Sequence, residues 1–434
     1  MGPVPLVEPE AEGMSPAARR ALQERRLRRM LTRLLDADGV QAARLLDAGV
    51  GHAEEIGLDD LPALPFVTKQ DLWDHYPFGF RVDDRIVCVH GSSGTGGRPT
   101  LVPYTAHDVG VWAGVMARAL GGAGVTRSSV IHNAYGYGLF TGGLGVHHGG
   151  MRLGATVVPL SGGMTERQVR LIADLGPDVL CCTPSYAIHL GEALRDSGTT
   201  SPFRVGVFGA EPWTGGMRRQ IEELLGIRAL DVYGLSEVIG PGVACESLDS
   251  DGMLNVAEDH FFVEAVDGDG RPVPDGTPGE LVFTTLTKTG MPLLRYRTGD
   301  VAALAPPVPG GPRTLRRMSK LLGRRDDMLV VRGVNVFPTE VEAVVLGDAR
   351  VGPHYLVVED RRDAGRPELH VVVESAHDVA ADLTAALRER LGITCRVAVV
   401  PAGAVPRAET GKARRLVRWD GGPPPVAGLT SPGR

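Results

Sequence analysis

The sequence predicts an α/β protein: a large N-terminal domain of parallel sheets flanked by helices, and a small α+β domain at the C-terminus. Three observations lead there. Between residues 65 and 306 short apolar runs alternate with amphipathic helical segments, the pattern of parallel strands joined by helices packed on both faces. A glycine- and hydroxyl-rich stretch, Gly91-Ser-Ser-Gly-Thr-Gly-Gly-Arg-Pro-Thr100, follows directly on the apolar run at residues 86–89. A compact unit with its own strands and helix begins near Asp326.

Taken in order, the first 15 or so residues are rich in Pro and Glu and read as a loose arm. Residues 19–47 read as helical, because Leu22, Leu27, Met30, Leu31, Leu34, Leu35 and Leu45 recur mostly at steps of three and four. Strands are expected at 130–133, 156–159, 179–182, 205–208 and 229–232, with helices between them such as 165–175 and 211–225. From 261 to 304 the pattern turns strand-rich, with Asp-Gly turns at Asp267-Gly268 and Asp275-Gly276. The C-terminal unit reads as strands at 351–358, 369–374 and 395–400 with a helix at 379–391. The domains expected are therefore 1–325 and 326–420, with 421–434 a disordered tail.

Composition narrows the class. Hydrophobic content of 43% and charged content of 23% suit a globular protein with a sizeable core. A net charge of -6 gives no basis for a nucleic acid or an anionic membrane as partner. No apolar stretch approaches the roughly 18 residues of a membrane-spanning helix, and no secretory signal is visible. The five cysteines lack metal spacing, and Cys181-Cys182 reads as part of a buried strand. A cytoplasmic location is expected.

A strand feeding a glycine-rich loop can turn backbone N–H groups toward an anion, and hydroxyls with a cation beside it suit a polyphosphate. The stretch is not a P-loop, which needs Lys and then Ser or Thr where Gly97-Arg98 stands. Five segments follow it in order. They are Phe208-Gly-Ala-Glu-Pro-Trp-Thr214, Asp231-Val-Tyr-Gly-Leu-Ser-Glu-Val-Ile-Gly-Pro241 and Tyr296-Arg-Thr-Gly-Asp300, then Gly323-Arg-Arg-Asp-Asp-Met328 with Arg332-Gly-Val-Asn-Val-Phe337, and Pro406-Arg-Ala-Glu-Thr-Gly-Lys412. Together they resemble the adenylate-forming acyl-activating enzymes. Within these, Leu64-Pro-Phe-Val-Thr-Lys69, Tyr76-Pro-Phe-Gly79, Tyr135-Gly-Tyr-Gly-Leu-Phe-Thr-Gly-Gly143, Thr183-Pro-Ser-Tyr186, Phe283-Thr-Thr-Leu-Thr-Lys288 and Gly333-Val-Asn-Val-Phe-Pro338 resemble the phenylacetate–CoA ligase family. The likeness runs from about Asp60 to Arg418.

That resemblance implies a reaction. A carboxylate attacks the α-phosphorus of ATP, pyrophosphate leaves, and the acyl-adenylate passes its acyl group to CoA. Both reactants are anions, so the site must screen charge and hold them in line. The resemblance assigns Ser92, Ser93, Gly94, Thr95, Gly96, Gly97 and Arg98 to the β- and γ-phosphates. It assigns Glu237, with Thr95, to Mg²⁺. Asp300 and Arg324 fall to the ribose. Tyr233 falls to stacking on adenine, in the Asp231 to Gly234 segment, with Gly209, Ala210 and Glu211 at the other edge. Lys412 brings a positive charge to the transferring phosphate and the carboxylate. The C-terminal domain is expected to be mobile, swinging about Asp326 after adenylation to present the loop around Gly333 to the pantetheine arm.

The acyl pocket is expected from Tyr135, Tyr137, Phe140, Gly209, Ala210, Ile239, Gly240 and Pro241. Small residues and aromatic faces without a charge favour an aryl or arylacetic acid, and Tyr135, Tyr137 and Tyr186 each offer a polar partner to a ring substituent. Three departures from the family pattern stand out. Gly96 and Arg98 replace a Thr and a Lys, which predicts weaker ATP binding. Asp38 to Leu46 lacks an aromatic element, leaving a homodimer contact open. Cys245 and His260 lack a following Cys-x-Cys, so no zinc is expected. Two rival readings remain: transfer of the acyl group to a carrier-protein thiol or an amine, and a non-catalytic nucleotide-binding homologue. Retention of Glu237, Asp300, Arg324 and Lys412 argues against the second.

Overall fold

The structure, a computed structural model, describes residues 4–83, 85–92, 99–331, 334–362, 368–407, 413, 415–426 and 429, and of residues 326, 330 and 335 the backbone alone. The chain opens with helices α1 (Pro9–Glu12), α2 (Pro16–Asp36) and α3 (Val40–Asp47). Ser15 caps α2 by accepting from the Ala18 N–H, and Leu27, Met30, Leu31 and Leu34 bury one face. The single helical stretch expected over 19–47 is broken where Asp38 takes a left-handed φ of 46°. The N-terminal arm is not loose over its described residues. Glu12 is 2% exposed and binds Arg313 at 3.2 Å, while Glu8 pairs with Arg118 and Arg152. Buried guanidiniums need counter-charges, and the arm's acidic residues supply them.

After α4 (Lys69–Asp74), β1 (Ile86–Ser92) and β2 (Thr100–Thr105) pair antiparallel. Helix α5 (Ala106–Gly122) follows, capped by Thr105. Strands and helices then alternate: β3 (Val130–Asn133), α6 (Thr141–Leu153), β4 (Thr156–Pro159), α7 (Thr165–Leu175), β5 (Val179–Cys182), α8 (Pro184–Asp196), β6 (Val205–Gly209), α9 (Gly215–Leu225) and β7 (Arg228–Leu235). Next come β8 (Gly240–Cys245), β9 (Leu254–Val256), β10 (Phe261–Val266), β11 (Pro278–Thr285), β12 (Tyr296–Ala305), β13 (Arg317–Met318) and β14 (Gly323–Arg324).

These strands make one 12-stranded sheet in the order β10-β11-β12-β13-β9-β8-β7-β6-β5-β3-β4, with β14 on β12. It is mixed. From β7 to β4 every pair is parallel, and from β7 to β10 every pair is antiparallel. The carboxyl ends of β3, β5, β6 and β7 therefore open on one edge, the usual place for a ligand crevice in such sheets.

The small C-terminal domain has β15 (Leu329–Val331), β16 (Val334–Val336), α10 (Pro338–Val345), β17 (Tyr355–Asp360), β18 (Glu368–Glu374), α11 (Ala380–Leu391), β19 (Arg396–Val400) and β20 (Leu416–Trp419). Its main sheet runs β19-β18-β17-β20. Trp213, Met217 and Ile221 of the large domain share a buried apolar cluster with Val341, Val345 and Leu346 of the small one. In the segment expected to be disordered, Val426 and Leu429 are buried against a cluster containing Trp419.

Candidate active site

Strand register builds one end of the cleft. Asp300 on β12 pairs with Arg324 on β14. The Arg324 guanidinium donates to Asp300 Oδ1 at 2.6 Å and to the Thr298 carbonyl at 3.1 Å. The Tyr233 hydroxyl donates to Asp300 Oδ2 at 2.8 Å, and its ring stacks on Phe283 with centroids 6.0 Å apart. Asp300 is 4% exposed. Burial and this carboxylate push the Tyr233 hydroxyl well above its usual pKa. Three of the residues expected for adenosine thus meet at one point.

Glu237 is the centre of a second cluster. It is 2% exposed, and Oε1 accepts from Ser92 Oγ at 2.7 Å, with Lys69 Nζ 3.7 Å away. Burial, with this carboxylate nearby, pushes the Tyr296 hydroxyl well above its usual pKa. Behind it, Lys288 Nζ donates to the Glu237 carbonyl at 2.8 Å and lies 4.8 Å from the Tyr104 ring, whose hydroxyl donates to the Ser236 carbonyl at 2.7 Å. Burial lowers the Lys288 pKa to about 8. Gly234 is required here, since a Cβ would stand 1.7 Å from the Gly240 carbonyl oxygen.

Lys69, Tyr104, Ser236, Lys288, Tyr296 and Thr298 were given no role by sequence reasoning. A signal existed for several of them: Lys69 and Lys288 close two of the family-specific segments, and Tyr296 and Thr298 lie in the segment ending at Asp300. Asp231 lies in a different group, with Arg218, Glu246 and Lys320, where burial raises its carboxyl pKa to about 6.

The expected acyl-pocket residues line the carboxyl ends of β3 and β6 and the start of β8. The Tyr137 hydroxyl accepts from Asn133 Nδ2 at 2.7 Å and lies 3.2 Å from His147 Nδ1. The Tyr135 hydroxyl donates to the Val207 carbonyl at 3.5 Å, and Tyr186 accepts from Gln168 Nε2 at 2.8 Å. Gly240 packs beside Thr141 and Trp112, and the Pro241 carbonyl accepts from Trp112 Nε1 at 3.2 Å. Ile239 is fully buried, whereas Phe140 is 53% exposed.

Glu211 follows Ala210, which takes a left-handed φ of 71° at the end of β6. Its Oε1 accepts from the Ser185 N–H at 2.6 Å and its Oε2 from the Ala413 N–H at 3.0 Å. Ser93, Gly94, Thr95, Gly96, Gly97, Arg98, Gly333 and Lys412 lie outside the described residues, as does the side chain of Asp326. Ser92 and Ala413, their neighbours in sequence, are described.

Comparisons with known proteins identify the family. The AMP-binding enzyme profile matches residues 15–287, and the AMP-binding enzyme C-terminal domain profile matches 333–418. A phenylacetate-coenzyme A ligase of Thermus thermophilus is 47% identical over 95% of this chain and 99% of its own. That of Escherichia coli is 46% identical over 91% and 94%. Among solved structures, a 2-hydroxyisobutyryl-CoA ligase in the postadenylation state matches with a TM-score of 0.88 at 26% identity, over 94% of this chain and 91% of that one. The same ligase in the thioesterification state matches over the same shares with a TM-score of 0.71 at 27% identity. On profile, identity and fold together, the chain belongs to the phenylacetate–CoA ligase family of the AMP-binding enzymes.

Proposed function

We propose that the chain activates an aryl or arylacetic acid with ATP, forms the acyl-adenylate and transfers the acyl group to CoA. Family membership supports the two-step chemistry. The observation that carries the residue roles is the meeting of Tyr233, Asp300 and Arg324 at one point, with Ala413 docked on Glu211.

In this reading Asp300 accepts from the ribose hydroxyls, with Arg324 beside it. Tyr233, pinned by its own hydroxyl, offers its ring to adenine. Ser92 through Arg98 hold the β- and γ-phosphates. Lys412 meets the charge that develops between carboxylate and α-phosphate. Glu237 would hold Mg²⁺ together with the substrate's phosphates, because a buried carboxylate among hydroxyls is an oxygen-only donor set of the kind a hard cation takes. No three His, Cys, Asp or Glu side chains gather round a common point among the described residues, so the phosphates would complete the shell. Bound there, the ion would neutralise charge on the departing pyrophosphate.

The pocket's tyrosine hydroxyls already have protein partners. That supports an acid whose ring carries no polar substituent, such as phenylacetate. The small domain beginning at residue 326 swings between the two half-reactions and brings Gly333 to the thiol. Among the described residues no helix is long and apolar enough to cross a membrane.

The test is acid-dependent ATP–pyrophosphate exchange over aryl, arylacetic and aliphatic acids, with Lys412→Ala as control, then AMP release with and without CoA. Exchange with phenylacetate and AMP release stimulated by CoA are expected. Exchange that CoA leaves unstimulated would point to a carrier-protein or amine acceptor. ATP binding without exchange for any acid would count against catalysis.

A further inference from the structure

Each tyrosine hydroxyl around the expected acyl pocket has one proton to give, and the hydrogen bonds show where it goes. Tyr135 gives its proton to the Val207 carbonyl at 3.5 Å, and Tyr186 to the Gly163 carbonyl at 3.2 Å. Tyr137 gives its proton to a side chain. Asn133, the last residue of β3, donates through Nδ2 to the Gly143 carbonyl at 2.8 Å and accepts at Oδ1 from the Tyr135 N–H at 3.4 Å. A carbonyl only accepts and an N–H only donates, so these two bonds fix which way the amide is turned. The second Nδ2 hydrogen therefore goes to the Tyr137 oxygen at 2.7 Å, which accepts it. Burial raises the pKa of that hydroxyl to about 12, so it keeps its own proton. The described residues give it one further partner, His147 Nδ1 on α6, 3.2 Å away. The imidazole must then accept at Nδ1 and carry its proton on Nε2. Ring contacts hold it in that pose: Tyr137 and His148 each meet it edge-on, with centroids 5.9 Å away.

We propose that His147 is a specificity-determining residue for the acid: by taking the Tyr137 proton it leaves these tyrosines with no free hydroxyl donor, so a ring bearing a hydrogen-bonding substituent is disfavoured against an unsubstituted one. This rests on the acyl pocket and the aryl-acid reading given above. A substituent hydroxyl brought into an apolar pocket loses its water and needs a partner there. With each tyrosine proton committed, it meets none to accept. An apolar pocket rejects an added hydroxyl by at most about a hundredfold, which sets the scale of the effect. Tyr135 and Tyr186 give their protons to backbone carbonyls, which no substitution removes. The commitment of Tyr137 rests on the one imidazole, so the choice of ring turns on that side chain.

His147→Leu removes the acceptor, and His147→Asn offers an amide oxygen at about the reach of Nδ1. In ATP–pyrophosphate exchange, kcat/KM is compared for the ortho, meta and para hydroxyphenylacetates and for the methylphenylacetates of the same pattern, which match them in size and lack the polar group. For at least one pattern the hydroxyl-to-methyl ratio should rise about tenfold in His147→Leu. It should return to the wild-type value in His147→Asn and stay there in the double variant Tyr137→Phe with His147→Leu. A ratio unchanged for every pattern, as when hydroxyl and methyl rise together in a merely enlarged pocket, would overturn the proposal. So would a rise that persists without the Tyr137 hydroxyl. A second arm needs no turnover. In protein carrying ¹⁵N-labelled histidine, NMR should show His147, assigned by its loss in His147→Leu, bare at Nδ1 and protonated at Nε2, and a proton on Nδ1 would overturn the proposal. If the wild-type protein exchanged with no aryl or arylacetic acid while Nδ1 was bare, the hydrogen bond would stand, and the proposed function would fall and take the choice of acid with it.

Discussion

Asp300 and Ala413 are held in opposite ways. Asp300 is fixed within the large domain by the β12–β14 pairing, by the Tyr233 hydroxyl and by Arg324, and is 4% exposed. Ala413 is fixed across a domain boundary by a single carboxylate. Strand pairing is cooperative and leaves a side chain little freedom, whereas one hydrogen bond can be made and broken within a catalytic cycle. Tyr233, Asp300 and Arg324, proposed to bind nucleotide, stand in the rigid group, and Ala413 belongs to the detachable one.

The sharpest break is Lys412→Ala, which should lower ATP–pyrophosphate exchange by about 10³-fold while leaving ATP binding by calorimetry within a few-fold, the pattern of a group acting on developing charge. Asp300→Ala should act in the rigid group instead. It leaves Arg324 and the Tyr233 hydroxyl without their carboxylate, and kcat/KM for ATP should fall about a hundredfold. A loss of ATP binding in Lys412→Ala as large as that in Asp300→Ala, read by calorimetry, would erase the distinction.

The large domain also holds an acid-sensitive group. His260 contacts Thr287 at 2.8 Å and Asp259 at 3.1 Å, with Arg118, Arg26 and Glu8 around them, and burial lowers its pKa to about 4. The unfolded chain takes up that proton near pH 6.5. Its contribution to stability is therefore full above pH 6.5 and is lost as pH falls from there toward 4. Asp259, held far below the usual carboxylate range, stays charged throughout that window. Between pH 7 and 5 the wild-type protein should lose about 2 kcal/mol that His260→Gln does not, read by denaturant unfolding at both pH values.

Gly216 tests the detachable side. On α9 a Cβ at this position would stand 2.5 Å from the Leu346 carbonyl oxygen of the small domain. Gly216→Ala should push the domains apart and lower exchange about tenfold, with a smaller effect on thioester formation from acyl-adenylate. The smallest effect belongs to the phosphate stretch: Gly96→Thr, which restores the family's hydroxyl, should lower the KM for ATP about threefold.

The parallel half of the sheet was legible because each strand is a short apolar run between turn residues. The expected segments 130–133, 156–159 and 179–182 coincide with β3, β4 and β5. The continuation of that sheet into antiparallel strands was not legible, since the pairing of β8 with β9 and of β9 with β13 depends on partners as far apart as Leu254 and Met318. Helix α10 was missed because two turns give too short an apolar stripe to show a period. In the site, Asp300, Arg324 and Glu237 were readable from their motifs. The donors around them were not: that Lys288 reaches the Glu237 carbonyl, or Glu211 the Ala413 N–H, follows from how distant segments are brought together. Local pattern carries no trace of that.

The docked N-terminal arm changes what the chain can tolerate at its start. Proteolytic trimming before residue 14 removes no strand and no residue assigned to the cleft. Yet it would take one carboxylate each from Arg118 and Arg313, two guanidiniums that are only 7% exposed. Clipping a surface terminus would then have the consequences of mutating the interior.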